Sequence, residues 1–319
     1  MSGVQTTGAQ GTGAQSTGTE STGTHAAVAQ AAAPRPVAHP RLSLNQATIK
    51  YADLAEAIDA TVNAGYESIG LWREPVQAAG LGRSIRLVED SGLRVSSLCR
   101  GGFFTMEEGL ARRESIDDNR RAIAEARALG APALVLVAGG LPAGSRDLVG
   151  ARSRVRDAIA ELADDAAAAG VTLTIEPLHP MYASDRAVVS TLGQALDIAE
   201  EFPLGVVGAV VDTFHVWWDP RLLEQIARAG DRIASYQVCD WATPLPADVL
   251  LGRHYPGDGV IDFASITAAV EAAGYTGDVE VEIFNQDVWN APYDEVAART
   301  RDSFALAVAP HLSPVHQRA

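Results

Sequence analysis

The chain has 319 residues, 47% hydrophobic and 20% charged, with a formal net charge of −15. This composition folds around a core, and the acidity speaks against a nucleic-acid surface, which normally needs a basic patch. No apolar run is long enough for a membrane span, the N-terminus lacks the basic and apolar regions of a secretory signal, and two cysteines cannot make a disulfide framework. The expectation is a chain in a reducing cytoplasm, with neither membrane nor nucleic acid as partner.

Residues 1–40 repeat Ser/Thr-Gly units, then Ala, then Pro, with almost no large apolar side chain. Such a segment buries too little surface to offset its chain entropy, so a disordered low-complexity tail is expected there. The body, 41–319, has a different rhythm. Short apolar runs cover Leu42–Thr48, Glu67–Arg73, Arg94–Arg100, Pro132–Ala138, Val171–Pro177, Val206–Asp212, Ile233–Asp240 and Val279–Phe284. Their starts lie about 34 residues apart, the length of one βα unit. Between them lie amphipathic segments such as YADLAEAIDATVNAG and RSRVRDAIAELADDAAAAG. These stop at Gly65 and Gly170, residues suited to a helix C-cap.

Eight such units predict a closed parallel (β/α)8 TIM barrel. An open, doubly wound sheet would usually carry a glycine-rich phosphate turn after its first strand, and LNQATIKYADL has no glycine.

A barrel enzyme builds its site at the C-terminal ends of the strands. Strand five ends at Glu176 and strand six at Asp212, strand seven carries Gln237 and Asp240, and strand eight carries Glu280 and Glu282. Converging buried carboxylates need a partner, and a divalent cation suits several of them at once. The alternative for any one of them is a helix cap or an Arg pair. Glu280 and Glu282 share a face, with Glu282 nearer the rim and thus the ligand. Glu280 lies a layer deeper and needs an Arg or a proton to tolerate burial. Asp240 points away from Gln237 and Cys239, toward a salt bridge or a cap.

The segments IEPLHP, VVDTFH, YQVCDW, GRHYPGDGVIDF and GYTGDVEVEIFN resemble the xylose isomerase-like TIM-barrel superfamily, and within it the sugar phosphate isomerase/epimerase branch. The likeness runs from about Leu42 to about His311. It implies one divalent metal ion held by Glu176, Asp212, Gln237 and Glu282. Gln237 departs from the histidine most members carry and matches some dehydratases. An all-oxygen set favours Mn2+ or Mg2+ over Zn2+. His215 matches the family histidine that bonds substrate or a metal-bound water, and Arg253 the arginine that anchors a substrate oxygen. For Arg253 a loop-shaping bridge to Asp258 is the other reading.

His179 and His254 are candidates for substrate contact or acid–base work, or ordinary loop residues. Trp72 forms a wall against a sugar face or packs in the core. Arg73 ends strand two together with Trp72, and Arg100 ends strand three. Cys99 and Cys239 read as small apolar fillers. Trp217 and Trp218 close over substrate or bury a subunit contact.

The function this implies is isomerisation or epimerisation of a keto-sugar or cyclitol. Glu176 and Glu282 would move a proton next to the carbonyl through an enediolate, with His215 assisting. The close alternative is a lyase of the same fold: a dehydratase of 3-dehydroshikimate or inosose type, or a C-glycoside-cleaving subunit. More remote are a non-catalytic sugar-binding barrel and a DNA-repair nuclease. The nuclease is disfavoured by the acidic chain and by Trp72, Arg73, Cys99 and Arg100 where that enzyme has histidines. A homo-oligomer or a partner subunit remains open.

Overall fold

The computed structural model describes residues 36–314. The expected tail lies outside the described residues except for 36–40. There Ala38 is buried and donates its N–H to the Gly65 carbonyl, so this stretch packs on the body.

Eight parallel strands close into a barrel. They are β1 (Leu42–Asn45), β2 (Ser68–Trp72), β3 (Arg94–Gly102), β4 (Ala133–Val137), β5 (Thr172–Glu176), β6 (Val207–Asp212), β7 (Ile233–Val238) and β10 (Val279–Val281). Their order around the barrel is β1-β10-β7-β6-β5-β4-β3-β2. Each of the eight apolar runs marks one barrel strand, β3 extending two residues past its run. The two helices expected from pattern are also there. Leu54–Asn63 is opened by a capping box between Asp53 and Glu56, and Leu148–Ala169 is closed by Gly170 in the left-handed conformation.

One run divides. The seventh was expected to carry both Gln237 and Asp240, but β7 ends at Val238. Asp240 begins β8 (Asp240–Trp241), which pairs antiparallel with β9 (Arg253–His254) outside the barrel. The Asp240 carboxylate accepts from the backbone N–H groups of Trp241, Gly257, Gly259 and Ile261 at 2.9–3.0 Å. It is thus a loop clamp, as its direction away from Gln237 suggested. Asp258 pairs with Arg299 instead of Arg253, which overturns the loop-bridge reading of Arg253.

The interior of the barrel has a polar layer below the rim. Glu280 is 1% exposed and meets no arginine. Its Oε2 accepts from Asn45 Nδ2 at 2.9 Å and faces Gln237 Nε2 at 3.5 Å. Gly70 makes room for it, because a Cβ there would stand 2.6 Å from that oxygen. Burial pushes the Glu280 carboxyl above its ordinary pKa, so of the two expected remedies the structure favours the proton.

Replacing Asp240 by Ala leaves four backbone donors of the ribbon and its following loop without their acceptor. Asp240→Ala should lower stability by about 1–3 kcal/mol, read from urea unfolding, the cost of leaving the one fully buried donor, the Ile261 N–H, unsatisfied, since the other three are only partly buried.

Candidate functional site

The rim is built by strand ends. Glu176 closes β5, Asp212 closes β6, and Glu282 follows β10, its N–H directed at the Val238 carbonyl of β7. All three are at most 5% exposed. Asp212 also starts the short helix Thr213–Val216, accepting from the Phe214 N–H at 2.8 Å, and that turn carries His215 to the same spot. One ligand atom from each of Glu176, Asp212 and His215 lies within 4.8 Å of the others.

Into this group the β8–β9 ribbon delivers Arg253, 3% exposed. Its Nη1 donates to Glu282 Oε2 at 2.8 Å and to Asp212 Oδ2 at 3.1 Å, while Nη2 lies 3.0 Å from His215 Nε2. The guanidinium is held between the rings of Phe214 and Phe284, at 4.7 and 4.9 Å. The Arg253 carbonyl accepts from Asn285 Nδ2.

The electrostatics follow from burial. Desolvation pushes Glu176 well above the usual carboxylate range, reinforced by Glu282 and Asp212 and opposed by Arg253 and Arg100. Desolvation likewise raises Asp212, against Arg253, and Glu282 is pushed up to about 7 by the same contest. Burial and the Arg253 charge hold His215 well below its ordinary value, so its imidazole is neutral. A neutral imidazole is the form that ligates a metal or accepts a proton.

The donor set fits a divalent cation. Glu176, Asp212 and Glu282 would carry three negative charges when ionised, and Arg253 carries one positive charge, which leaves two negative charges. A cation of charge two offsets them. Gln237 pairs in register with Asp212 on one side and Glu280 on the other, and its Oε1 is buried with no hydrogen-bond partner. A buried amide oxygen left without a partner beside Asp212 is a hard donor that a hard cation could satisfy.

A cavity of about 270 Å³ opens over this group. Glu176, His215, Arg253 and Glu282 line it from below, Trp72 and Phe284 form walls, and Arg100 and Arg186 stand at its sides. Trp72 both lines the cavity and packs on Cys99, Val135 and Val210, its ring 5.7 Å from Phe284 and its Nε1–H fixed on Asn45 Oδ1.

Two expected contacts, His179 and His254, lie elsewhere. His179 does not line the cavity. Its ring packs near Trp218 and Trp241, and its backbone N–H donates to His215 Nδ1 at 3.2 Å. It therefore orients His215. His254 sits on the ribbon opposite Asp240, also off the cavity lining. Arg73 turns away to Asp118 and Glu125. Trp217 packs on Trp241, and Trp218 donates to the His215 carbonyl, so both support the site from behind. Cys99 and Cys239 are buried and unbridged, with burial pushing both thiols up, as apolar fillers require.

Sequence reading assigned no part to Arg186, Phe284 or Arg100. Phe284 and Arg100 are the last residues of their apolar runs, which was a usable signal. Arg186 comes from the loop after β5, where no periodicity marks it.

Breaking a buried ion pair strands its partner's charge. In metal-free protein, Arg253→Met should lower stability by about 3–5 kcal/mol. Saturating Mn2+ should recover much of that loss, because it neutralises the same carboxylates. Urea titrations with and without the ion check this.

The sequence model of the xylose isomerase-like TIM barrel matches residues 58–305. The 3-dehydroshikimate dehydratase of Pseudomonas aeruginosa is 31% identical over 252 residues, 75% of this chain. The chain spans only 37% of that relative's length, and 38% of a second dehydratase from Pseudomonas putida. Curated relatives also include inosose isomerases, one from Halalkalibacterium halodurans, and an L-ribulose 3-epimerase of Mesorhizobium japonicum. Among solved structures, a Sinorhizobium meliloti 1021 protein superposes with TM-score 0.82 at 50% identity, covering 84% of this chain and 98% of that one. The IOLI protein, solved with a zinc atom, superposes with TM-score 0.74 at 22% identity over 86% of this chain and all of that one, a likeness of fold alone. With a match of this extent laid over a closed eight-stranded barrel, the chain belongs to the xylose isomerase-like TIM-barrel family.

Proposed function

We propose that the chain is a metal-dependent isomerase or epimerase that removes a proton next to the carbonyl of a sugar or cyclitol. The observation that carries this reading is the pair Glu176 and Glu282. Both are buried, both line one cavity, and burial raises both carboxyls above their ordinary range, that of Glu282 to about 7. A carboxyl tuned upward by burial is matched to taking a proton and giving it back near pH 7.

A divalent ion held by Glu176, Asp212, Gln237 and Glu282, Mn2+ or Mg2+ by the hardness of the set, would supply Lewis-acid polarisation of the ketone when bound. The remaining work belongs to the chain. One of the two glutamates takes the proton from the carbon next to the carbonyl, and the other returns one from across the cavity. Neutral His215, oriented by the His179 backbone, exchanges a proton with a substrate hydroxyl. The Arg253 guanidinium binds a substrate oxygen on its free edge. Trp72 and Phe284 hold the ring face and exclude water.

A lyase reading draws on Gln237 and on the similarity to the dehydratases. It needs a general acid at the leaving group, and His179 and His254 do not line the cavity. Isomerisation asks nothing of them.

NMR in D2O with Mn2+ and a panel of keto-sugars, inososes and 3-dehydroshikimate tests the proposal. Deuterium should enter next to the carbonyl while an epimer or isomer accumulates. Glu282→Gln should slow that exchange by about 10²–10⁴-fold. Exchange accompanied by loss of water would assign the lyase. Absence of exchange across the panel at saturating Mn2+ would overturn both. Glu176→Gln that keeps its metal yet loses exchange would exclude a merely sugar-binding barrel.

A further inference from the structure

An amide side chain has a donor end and an acceptor end of nearly equal shape, so its neighbours decide which way it faces. Gln237 is 1% exposed and lies in register between Asp212 of β6 and Glu280 of β10. Two acids thus compete for its N–H groups. Turned toward Asp212, the amide would present hydrogens to the rim, and hydrogens repel a cation. Turned toward Glu280, it leaves an oxygen on the other side. The structure has the second arrangement. Nε2 faces Glu280 Oε2 at 3.5 Å, and Oε1 is buried with no hydrogen-bond partner. That contact is at the outer limit of a hydrogen bond, so it acts by orientation more than by strength.

What fixes the choice lies behind Glu280. An indole N–H and a backbone N–H can only donate. Trp72 Nε1 and the Ala47 N–H both donate to Asn45 Oδ1, at 2.9 and 3.0 Å. With its oxygen occupied, Asn45 turns Nδ2 to Glu280 Oε2 at 2.9 Å. Oε2 is thereby fixed as an acceptor, which attracts the Nε2 end of Gln237 and repels the Oε1 end. Gly70 admits this pair, because a Cβ there would stand 2.6 Å from Oε2 and 3.2 Å from Asn45 Nδ2. Donors and acceptors therefore run in one fixed order, from an indole that lines the cavity to the free amide oxygen.

We infer that Glu280 is a positioning residue: with Asn45 and Gly70 it sets the Gln237 amide to offer a divalent cation its oxygen and not its N–H groups. This role rests on the reading of Gln237 as a ligand and deepens it. Glu280 itself touches neither cation nor substrate.

The test is calorimetric titration of the metal-free full chain with Mn2+. Glu280→Leu removes the acceptor and should weaken Mn2+ binding about 10–100-fold, the usual effect of losing a group that orients a ligand. Gly70→Ala displaces Oε2 without removing a polar atom and should weaken binding in the same direction. Glu280→Gln keeps an oxygen acceptor and should retain most of the affinity. In a Gln237→Ala background, Glu280→Leu should have no further effect, because the side chain it orients is gone. A merely structural role would weaken binding equally in both backgrounds. That result, or unchanged affinity in Glu280→Leu, overturns the inference. Where Glu280→Leu does not fold, Gly70→Ala in both backgrounds makes the same comparison. Gln237→Ala alone separates this role from the reading beneath it. If that variant binds Mn2+ as tightly as the parent, Gln237 is no ligand and both fall. If it weakens binding while Glu280→Leu and Gly70→Ala do not, the ligand stands and the positioning role falls.

Discussion

Burying ionised Glu176, Asp212 and Glu282 around one point costs free energy that opposite charge must offset. Arg253 supplies part of that charge, at 2.8 Å from Glu282 and 3.1 Å from Asp212. Much of the surrounding structure serves to hold it there. Phe214 and Phe284 enclose the guanidinium, Asn285 fixes its backbone, and the Asp240 clamp fixes the loop behind the ribbon that carries it. The imbalance that remains, two negative charges, is the property a divalent ion would meet.

The barrel supports this rim from below with a second, uncharged solution to the same problem. Glu280 is as buried as the rim acids but leans on Asn45 and Gln237 in the space Gly70 leaves. Burial raises its carboxyl as it raises the rim acids, but amides and not a guanidinium face it. Two residues apart, Glu280 within β10 and Glu282 just past its end have different surroundings because their neighbours differ.

Much of this was legible in the sequence. Eight apolar runs at a regular spacing encode a closed barrel because each strand, covered on both faces, must be apolar throughout. Polar residues that interrupt such runs at their ends stand out for the same reason, and Glu176, Asp212, Gln237 and Glu282 were found that way. What periodicity does not encode is the path of the loops. Asp240 was assigned to a barrel strand because a two-residue ribbon has no pattern of its own. His179 and His254 were advanced as cavity contacts because sequence proximity to a ligand says nothing about which way a loop turns. Arg186 was missed because its position depends on the fold of the segment after β5, which no strand end predicts.

The cation that balances the rim comes from outside the barrel, on a ribbon of two-residue strands clamped by one aspartate, whereas the acids it balances are fixed by the barrel's hydrogen-bonded register. Sign and scaffold are therefore separable in this molecule. Change in the ribbon can retune the charge of the rim, and with it the kind of ion or substrate accepted, while the strands stay packed as they are. Surface loops tolerate such change far better than barrel strands do, so divergence in chemistry within this architecture has a route that leaves the core untouched.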